Sequence, residues 1–286
     1  MRLGTVLGRA AVLVGEEAFD VERAGGGRFP SDPAAVFEQW AEFAEWARTV
    51  GKGGVGEAGR YGEPIDRVLF DAPSPRPRQI YGIGLNYRDH AAEAGIEAPK
   101  APPVFTKFVT SIDGPYRDLV LPEGTVDWEA ELVVVIGKRA ERVSVADAWG
   151  HVAGLSAGQD FSERIIQSAG PVPQFSLGKS FPGFGPIGPW LVTPDEFANP
   201  DDLAIECEIN GESVQKSRTS NLIFSVPELV SRLSAVTPLL PGDVIFTGTP
   251  GGVGVARKPQ RFLSPGDEVV TRIEGIGTIS QRCVAR

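Results

Sequence analysis

An unbroken apolar run at residues 132 to 136, LVVVI, follows directly after two closely spaced glutamates. A strand that is apolar on both faces must be covered on both sides, which restricts the folds open to this chain. Side chains two apart on a strand share one face, so Glu129 and Glu131 point the same way, with Cα atoms about 6.6 Å apart. Two carboxylates at a covered strand end repel each other. Either a cation lies between them or one of them takes up a proton.

Short strands and turns dominate the chain from residue 79 onward. The sequence holds 35 glycines and 24 prolines, which interrupt regular elements frequently. Asn210 and Gly211 separate two alternating runs and predict a β-hairpin, and two further strands begin with PGD. Helices are few, one after Asp160 and one in VPELVSRLSAV. This pattern predicts a β-rich α+β fold and not a regular βαβ alternation.

The first 72 residues have a different character. Residues 1 to 22 alternate weakly and predict a strand pair, and Asp32 and Pro33 provide an N-cap and first residue for a helix that runs to residue 50. The segment GKGGVGEAGRYG at residues 51 to 62 predicts a loop, and a proline cluster at residues 72 to 78 closes the region. We therefore predict a small N-terminal domain, residues 1–72, and a larger domain, residues 73–286.

The charge balance disfavours two classes of partner. The chain has 28 basic and 37 acidic residues, a net charge of -9, and no run of Lys or Arg that makes a local exception. Nucleic acid and anionic membranes are poor partners for such a surface, so we expect neither.

Cysteine usage and the N-terminal sequence bear on the compartment. Cys207 and Cys283 lie far apart, which excludes a cysteine-based zinc site and gives no sign of a disulfide framework. Arg9 interrupts the short apolar pieces of the N-terminus, so we expect neither a signal peptide nor a transmembrane helix. A cytoplasmic location is predicted.

Two glycine-rich segments fail the tests for nucleotide binding. YGIGLNY begins like a dinucleotide fingerprint but has Tyr87 where the third glycine belongs, and GTPGGVG lacks the Gly-Lys-Ser/Thr of a phosphate loop. A dehydrogenase function is therefore only a remote hypothesis.

His90 and Glu93 form a candidate acid–base pair. Asn86 can cap a helical turn in which these residues, three apart, are neighbours on one face. A carboxylate beside an imidazole raises its basicity and fixes its tautomer. A surface ion pair is the alternative reading of the same spacing.

Asp160 is a candidate third carboxylate for the cation that the glutamates require. With Arg164 and Gln167 it lies along one stripe of a helix, and an ordinary helix start explains the spacing as well. Three carboxylates without an available His or Cys favour Mg²⁺ or Mn²⁺ over zinc, although ligand type alone does not separate these ions from Ca²⁺.

Lys179 and Thr249 complete the candidate residues. Lys179 stands in an apolar, glycine-rich segment, and TGTPGGVG could present backbone N–H groups and Thr249 to a carboxylate. A solvated lysine and a tight turn are the corresponding structural alternatives.

Five motifs occur in the same order as in, and together resemble, the fumarylacetoacetate hydrolase family: GLNYRDHAAEAG, VDWEAELVVVIGK, GQDFSERIIQ, GKSFPGFGPIGPW and PGDVIFTGTPGGVG. The resemblance covers residues 79 to about 280, and the first 70 or so residues resemble the small N-terminal domain that some members carry. It implies a catalytic domain folded as a mixed β-sandwich roll, preceded by a small α/β domain, in a homodimer.

The resemblance also implies residue roles. Glu129, Glu131 and Asp160 match the family's ligands for Mg²⁺ or Mn²⁺. His90 and Glu93 match the family's catalytic dyad, which often lies on a segment that orders over the substrate. Lys179 matches the family's active-site lysine. Three further residues fall at positions that contact substrate or support the site: Arg164, Gln167 and Thr249. Gln159 and Trp128 stand where Asn and Tyr are common, which can reshape the surroundings of the metal ligands.

These residues lead us to expect a metal-dependent hydrolase that cleaves a C–C bond in a small β-diketo or 2,4-dioxo acid, such as an acylpyruvate or a fumarylacetoacetate-like acid. His90, oriented by Glu93, would activate water. Decarboxylation or isomerisation of an oxaloacetate-like or hydroxymuconate-like diacid uses the same metal-bound enolate and is the alternative. A noncatalytic ligand-binding protein on the same fold is a further alternative.

Overall fold

The computed structural model describes residues 1–50, 60 and 69–286. The loop predicted at residues 51–62 therefore lies, apart from Arg60, outside the described residues. The described strands are β1 (Arg2–Val6), β2 (Arg9–Val14), β3 (Glu17–Asp20), β4 (Phe70–Asp71), β5 (Ile80–Ile83), β6 (Val104–Thr106), β7 (Ile112–Asp113), β8 (Leu119–Leu121), β9 (Val126–Asp127), β10 (Ala130–Ile136), β11 (Val152–Gln159), β12 (Ser162–Glu163), β13 (Gly185–Val192), β14 (Ala204–Ile209), β15 (Glu212–Arg218), β16 (Val244–Phe246), β17 (Glu268–Ile273) and β18 (Gly277–Ala285). The described α-helices are α1 (Val21–Ala24), α2 (Pro33–Val36), α3 (Trp40–Thr49), α4 (Arg88–Ala94), α5 (Arg164–Gln167), α6 (Phe175–Gly178) and α7 (Val226–Ser234).

Two sheets form the body of the described structure. An 11-stranded sheet has the order β3-β2-β1-β13-β11-β10-β16-β5-β6, with β4 beside β1 and β7 beside β13, and a 5-stranded sheet has the order β15-β14-β17-β18-β8. Both are mixed, because β16 pairs parallel with β5 and β18 pairs parallel with β8. A short pair, β12-β9, lies apart. The predicted β-rich α+β fold is confirmed.

Strand β10 is buried on both faces, as its apolar run predicted. Leu132, Val134 and Ile136 belong to the core that also contains apolar residues of the 5-stranded sheet. Val133 and Val135 face a second core, which contains aromatic residues of the N-terminal helices. The N-terminal end of β10, where the glutamates lie, is therefore enclosed by packing on both sides.

The first residues of the chain continue the larger sheet. Strand β1 pairs antiparallel with β13, with Arg2 opposite Val192 and Leu3 opposite Leu191. The region predicted as a strand pair contains three strands, and Phe43 of α3 shares a core with Val133 of β10. The domain boundary at residue 72 stays a prediction, while the N-terminal strands and helices share both a sheet and a core with the rest.

The structure confirms some predicted element ends and corrects two. Asp32 accepts a hydrogen bond from the Ala34 N–H and Pro33 opens α2, although a 3₁₀ turn then separates α2 from α3. Asn210 and Gly211, with φ of 53° and 79°, form the predicted hairpin turn between β14 and β15. The predicted helix VPELVSRLSAV is α7, which begins with a capping box.

Both corrections concern local patterns that distant partners override. Asn86 does not cap α4, because its side chain donates to the carbonyls of Phe224 and Thr247 at 3.1 and 2.7 Å. The helix expected from Asp160 onward is limited to α5. Its N-cap is Glu163, whose side chain accepts hydrogen bonds from two N–H groups of the first turn. Among the described residues, no helix combines the length and apolar character needed to cross a bilayer.

The shared sheet predicts that the N-terminal strands unfold together with the rest of the chain. Leu3→Ala removes a side chain that is 1% exposed and should lower the free energy of unfolding by about 2–5 kcal/mol. Denaturant unfolding followed by fluorescence and by circular dichroism should still show one common transition. Leu7→Ala, at a side chain that is 62% exposed, is the control and should change stability by less than about 0.5 kcal/mol. Two separate transitions would show instead that the predicted N-terminal domain is an independent unit.

Candidate metal and acid–base site

The pairing of β10 with β11 brings the three predicted metal ligands together. Ala130 lies opposite Gln159, so Glu129 lies opposite Asp160, and the Asp160 N–H donates to the Glu129 carbonyl at 2.9 Å. Glu131 follows two residues along the strand. One carboxylate oxygen of each residue lies within 4.8 Å of the other two, and all three residues are buried.

Three cations lie against this triad. Lys179 Nζ is 2.8 Å from Glu129 Oε2 and 2.7 Å from Asp160 Oδ2. Arg164 Nη1 is 2.7 Å from Glu129 Oε1, and Lys107 Nζ is 2.6 Å from Asp160 Oδ1. The sequence prediction included Lys179 and Arg164 but missed Lys107. The signal was present, because Lys107 stands in the apolar segment VFTKFV much as Lys179 stands in its own apolar segment.

The side-chain nitrogen of Lys107 is fully engaged by acceptors. Its ammonium group also donates to the carbonyls of Lys179 and Phe184, so each of its three N–H groups has an acceptor. Burial lowers the pKa of Lys107, and the Asp160 carboxylate opposes that shift. For Lys179 the balance is reversed, because Asp160 and Glu129 together outweigh burial and raise its pKa.

The glutamates are not equally compensated. Burial would raise the pKa of Glu129, but the charges of Lys179 and Arg164 overcome it and lower that pKa to about 2. Burial raises the pKa of Glu131 well above its ordinary value, and the Asp160 and Glu129 carboxylates add to the shift. Within the described part of the chain, Glu131 has no ion pair and accepts a hydrogen bond from the Gly248 N–H at 2.7 Å.

The donor set fits a divalent metal ion. Its members are carboxylate oxygens, which hard cations such as Mg²⁺ and Mn²⁺ prefer. The imperfect compensation of Glu131 supplies a second reason, because a cation beside it would favour the ionised form that its surroundings now oppose.

The glycine-rich segment TGTPGGVG directs backbone N–H groups at carboxylates, and its role toward a bound carboxylate stays a prediction. The carboxylates are the protein's own. The pairs are Gly248 with Glu131 at 2.7 Å, Gly251 with Asp89 at 3.3 Å, Gly252 with Glu93 at 3.1 Å, Gly254 with Asp127 at 2.7 Å and Val255 with Asp127 at 2.9 Å. The loop thus connects strands β9 and β10, through Asp127 and Glu131, with helix α4, through Asp89 and Glu93.

Helix α4 carries the predicted dyad in contact. His90 Nδ1 is 3.4 Å from Glu93 Oε2, and the two side chains are 17% and 28% exposed. Both oxygens of Glu93 accept the Gly252 N–H. Gly252 belongs to the same glycine-rich loop as Gly248, whose N–H donates to Glu131 of the triad. The dyad therefore lies at an accessible edge of the buried charge cluster, and its catalytic role stays a prediction.

The three predicted substrate-binding residues all have partners within the protein. Arg164 donates to Asp127 Oδ2 at 2.9 and 2.7 Å and to Gln167 Oε1 at 2.9 Å. Thr249 Oγ1 donates to the Ala130 carbonyl at 2.9 Å and accepts from Gln215 Nε2 at 2.8 Å. Their roles toward substrate stay predictions. Asp127, which links Arg164 to the glycine-rich loop, was missed although it stands in the same VDWEAELVVVI segment.

Known proteins resemble the chain in sequence and in structure. Residues 79–284 match the family model described as the fumarylacetoacetate (FAA) hydrolase C-terminal domain. The mitochondrial oxaloacetate tautomerase FAHD2A of Homo sapiens is 46% identical over 223 residues, which cover 77% of this chain and 71% of that protein.

Two crystal structures share the whole fold. A provisionally named HpcE protein from Mycobacterium smegmatis has a TM-score of 0.93 and 51% identity, covering 100% of this chain and 99% of that one. The maleylpyruvate hydrolase from Sphingobium sp. SYK-6, in complex with manganese(II) and pyruvate, has a TM-score of 0.81 and 28% identity over 100% and 99% of the two chains.

The raised pKa of Glu131 predicts a pH-dependent stability of the metal-free protein. Above the ordinary pKa of 4.5, the folded state keeps a proton on Glu131 that the unfolded chain has lost. This contribution is fully present below pH 4.5 and is lost as the pH rises through the raised pKa, with a slope of up to about 1.4 kcal/mol per pH unit. Thermal unfolding in chelator from pH 4 upward should show it. Glu131→Gln should flatten the slope.

The control is Glu123→Gln, the same chemical change at an exposed side chain, which should keep the wild-type slope. Calorimetric titration with Mn²⁺ should then show binding to wild type and to Glu123→Gln, and loss of binding to Glu131→Gln. A Glu131→Gln protein that keeps both the slope and the affinity for Mn²⁺ would contradict this assignment.

Proposed function

The chain belongs to the fumarylacetoacetate hydrolase family, and on that basis we propose that it is a metal-dependent enzyme that interconverts the enol and keto forms of an oxaloacetate-like 2-oxo diacid. Glu129, Glu131 and Asp160 would hold the Mg²⁺ or Mn²⁺. The observation that carries the proposal is the buried carboxylate triad beside an accessible His–Glu pair, in a chain similar to an oxaloacetate tautomerase. This replaces C–C hydrolysis, the first expectation from the sequence, as the leading function.

The interconversion of enol and keto forms requires the transfer of one proton. A divalent cation at the triad would draw electron density from the 2-oxo group and so favour the enolate that the two tautomers share. His90 can accept the proton from the enol oxygen and return it to the adjacent carbon, so that one O–H bond breaks and one C–H bond forms. Glu93, itself held by the Gly252 N–H, would keep the His90 ring oriented during both transfers. No water and no C–C bond cleavage are required.

The charges of the cluster suit a diacid. The buried carboxylates Glu129, Glu131, Asp160 and Asp127 outnumber the cations Lys107, Lys179 and Arg164 by one. A divalent ion would therefore turn the charge of the cluster positive, and this favours an anionic substrate over a neutral ketone.

Hydrolysis of a C–C bond in an acylpyruvate-like acid is the second candidate. The likeness to a maleylpyruvate hydrolase that was crystallised with manganese(II) and pyruvate favours it. His90 would then take a proton from water instead of from the substrate. Decarboxylation of an oxaloacetate-like acid would start from the keto form instead: the bond from C3 to its carboxylate breaks, CO₂ leaves and the bonding electrons form the enolate of the remaining 2-oxo acid. The products distinguish the three reactions.

Two further expectations stay predictions. The homodimer rests on the family resemblance, and sedimentation of the purified protein tests it. The cytoplasmic location also stays a prediction, and the human relative named above is described as mitochondrial.

The proposal predicts a metal-dependent loss of enol-oxaloacetate without release of CO₂ or of two acid fragments. Enol absorbance, CO₂ and products by mass spectrometry should be followed together with Mg²⁺, with Mn²⁺ and with chelator. His90→Ala should lower kcat by about 10² to 10⁴ while Mn²⁺ affinity is unchanged, because it removes the proton-transfer group and leaves the triad intact.

His151→Ala is the matched control. His151 is the other histidine of the chain, and its Nδ1 faces the carbonyls of Lys138 and Arg139. This variant should keep the wild-type rate. Two acid fragments as products would establish the hydrolase instead. A tautomerase rate that survives both chelator and His90→Ala would refute the proposal.

A further inference from the structure

Trp128 lies between the metal ligands and the loop that holds the dyad. It directly precedes Glu129, is fully buried, and separates β9 from β10. The guanidinium groups of Arg257 and Arg261 lie 5.7 and 5.8 Å from the centroid of its ring. The indole Nε1–H donates to the Gly252 carbonyl at 3.2 Å. Trp128 thus reaches the residue whose N–H binds Glu93.

Gly252 is confined from several directions. Its φ is +106°, and a Cβ atom at this position would lie 2.1 Å from the carbonyl oxygen of Val214 in β15, so only glycine fits. Its carbonyl accepts a second hydrogen bond, from Arg257 Nε at 3.3 Å, and Arg257 Nη2 in turn donates to Val214. The Gly252 N–H and carbonyl belong to adjacent peptide planes that meet at its Cα, so the donors that hold the carbonyl, together with the close approach of Val214, fix the loop backbone from which the N–H points.

A continuous series of contacts follows. Trp128 donates to the Gly252 carbonyl, the Gly252 N–H donates to both oxygens of Glu93 at 3.1 Å, and Glu93 contacts His90 Nδ1 at 3.4 Å. We propose that Trp128 is a positioning residue for the His90–Glu93 pair and acts through Gly252. This inference rests on the proposed function, in which His90 transfers the proton.

The role depends on the N–H group and not on the ring alone. Phenylalanine would keep an aromatic face for Arg257 and Arg261 but offers no donor to Gly252. Trp128→Phe would leave the Glu129 backbone and the three metal ligands in place. The loss should therefore fall on the proton transfer and spare metal binding.

The test compares Trp128→Phe with Trp190→Phe in the holoenzyme. Trp128→Phe should lower kcat about tenfold, as is usual when the partner that orients an active-site group is removed, with KM and Mn²⁺ affinity unchanged. Trp190 is the matched control. Its indole N–H is also buried but has no hydrogen-bond partner among the described residues, and its ring also faces an arginine, Arg2, at 5.3 Å. Trp190→Phe should keep the wild-type kcat.

A double-variant cycle identifies the route of the effect. If Trp128 acts through His90, then Trp128→Phe added to His90→Ala should cost no further activity, because there is no dyad left to orient. Arg257→Gln, which removes the other donor to the Gly252 carbonyl, should show a smaller loss of kcat with the same dependence on His90. It keeps the inference testable if Trp128→Phe fails to fold.

Three outcomes would overturn the inference: an unchanged kcat in Trp128→Phe, a fall in Mn²⁺ affinity that accounts for the lost rate, or losses that multiply in the double variant. The proposed function fails separately. It fails if the wild-type enzyme releases two acid fragments or CO₂ instead of the keto tautomer, a readout that does not involve the Trp128 variants.

Discussion

The burial of several carboxylates at one strand end, and their compensation by buried cations, is the interaction on which the structure depends. Lys107, Arg164 and Lys179 come from three separate segments of the chain, yet their charged groups all lie within 3 Å of Glu129 or Asp160. Removing one partner of such a buried pair typically costs about 3–5 kcal/mol, because the other charge stays behind without compensation. The folded state therefore requires these segments to meet at the end of β10. The same requirement concentrates oxygen ligands and fixed positive charge in one place, and that concentration is the candidate active site.

Much of this could be predicted from local sequence, and the reasons for the failures are physical. The strand at residues 130–136 and its glutamates follow from apolar patterning alone, and the ordered motifs identified the three carboxylates as one set. The register that places Glu129 opposite Asp160 is a long-range property that neither segment encodes by itself. Asn86 and the residues after Asp160 both have good local signals for a helix. The Asn86 side chain instead donates to carbonyls more than a hundred positions away, and two residues after Asp160 form a short strand. Lys107 was missed although its apolar segment is like that of Lys179, because Lys107 lies outside the five motifs that identified the other site residues.

The glycine-rich loop illustrates how one sequence pattern serves a purpose other than the expected one. Successive N–H groups in a turn form a site for anions, and such loops often bind ligands. Here Asp89, Glu93, Asp127 and Glu131 supply the anions from within the chain. The loop is therefore an internal connection between strands β9 and β10 and the helix α4 that carries the dyad. Water activation and proton transfer on the substrate would use the same residues of the site, and the likeness to an oxaloacetate tautomerase favours the second while the likeness to a maleylpyruvate hydrolase favours the first.

The pairing of β1 also has a consequence for how the protein is made. One edge of β1 pairs with β2, which follows it at once in the chain, and the other edge pairs with β4 at Thr5 and Val6 and with β13 at Arg2 and Leu3. At a synthesis rate of roughly 5–20 residues per second, β13 leaves the ribosome about 10 to 40 s after β1. During that interval the β1–β2–β3 meander has an open edge and an apolar face that is destined for the core, a state prone to pairing with other nascent chains. The part of the sheet that is synthesised first is thus among the last to be completed, so production of this protein should respond to chaperone supply and translation speed.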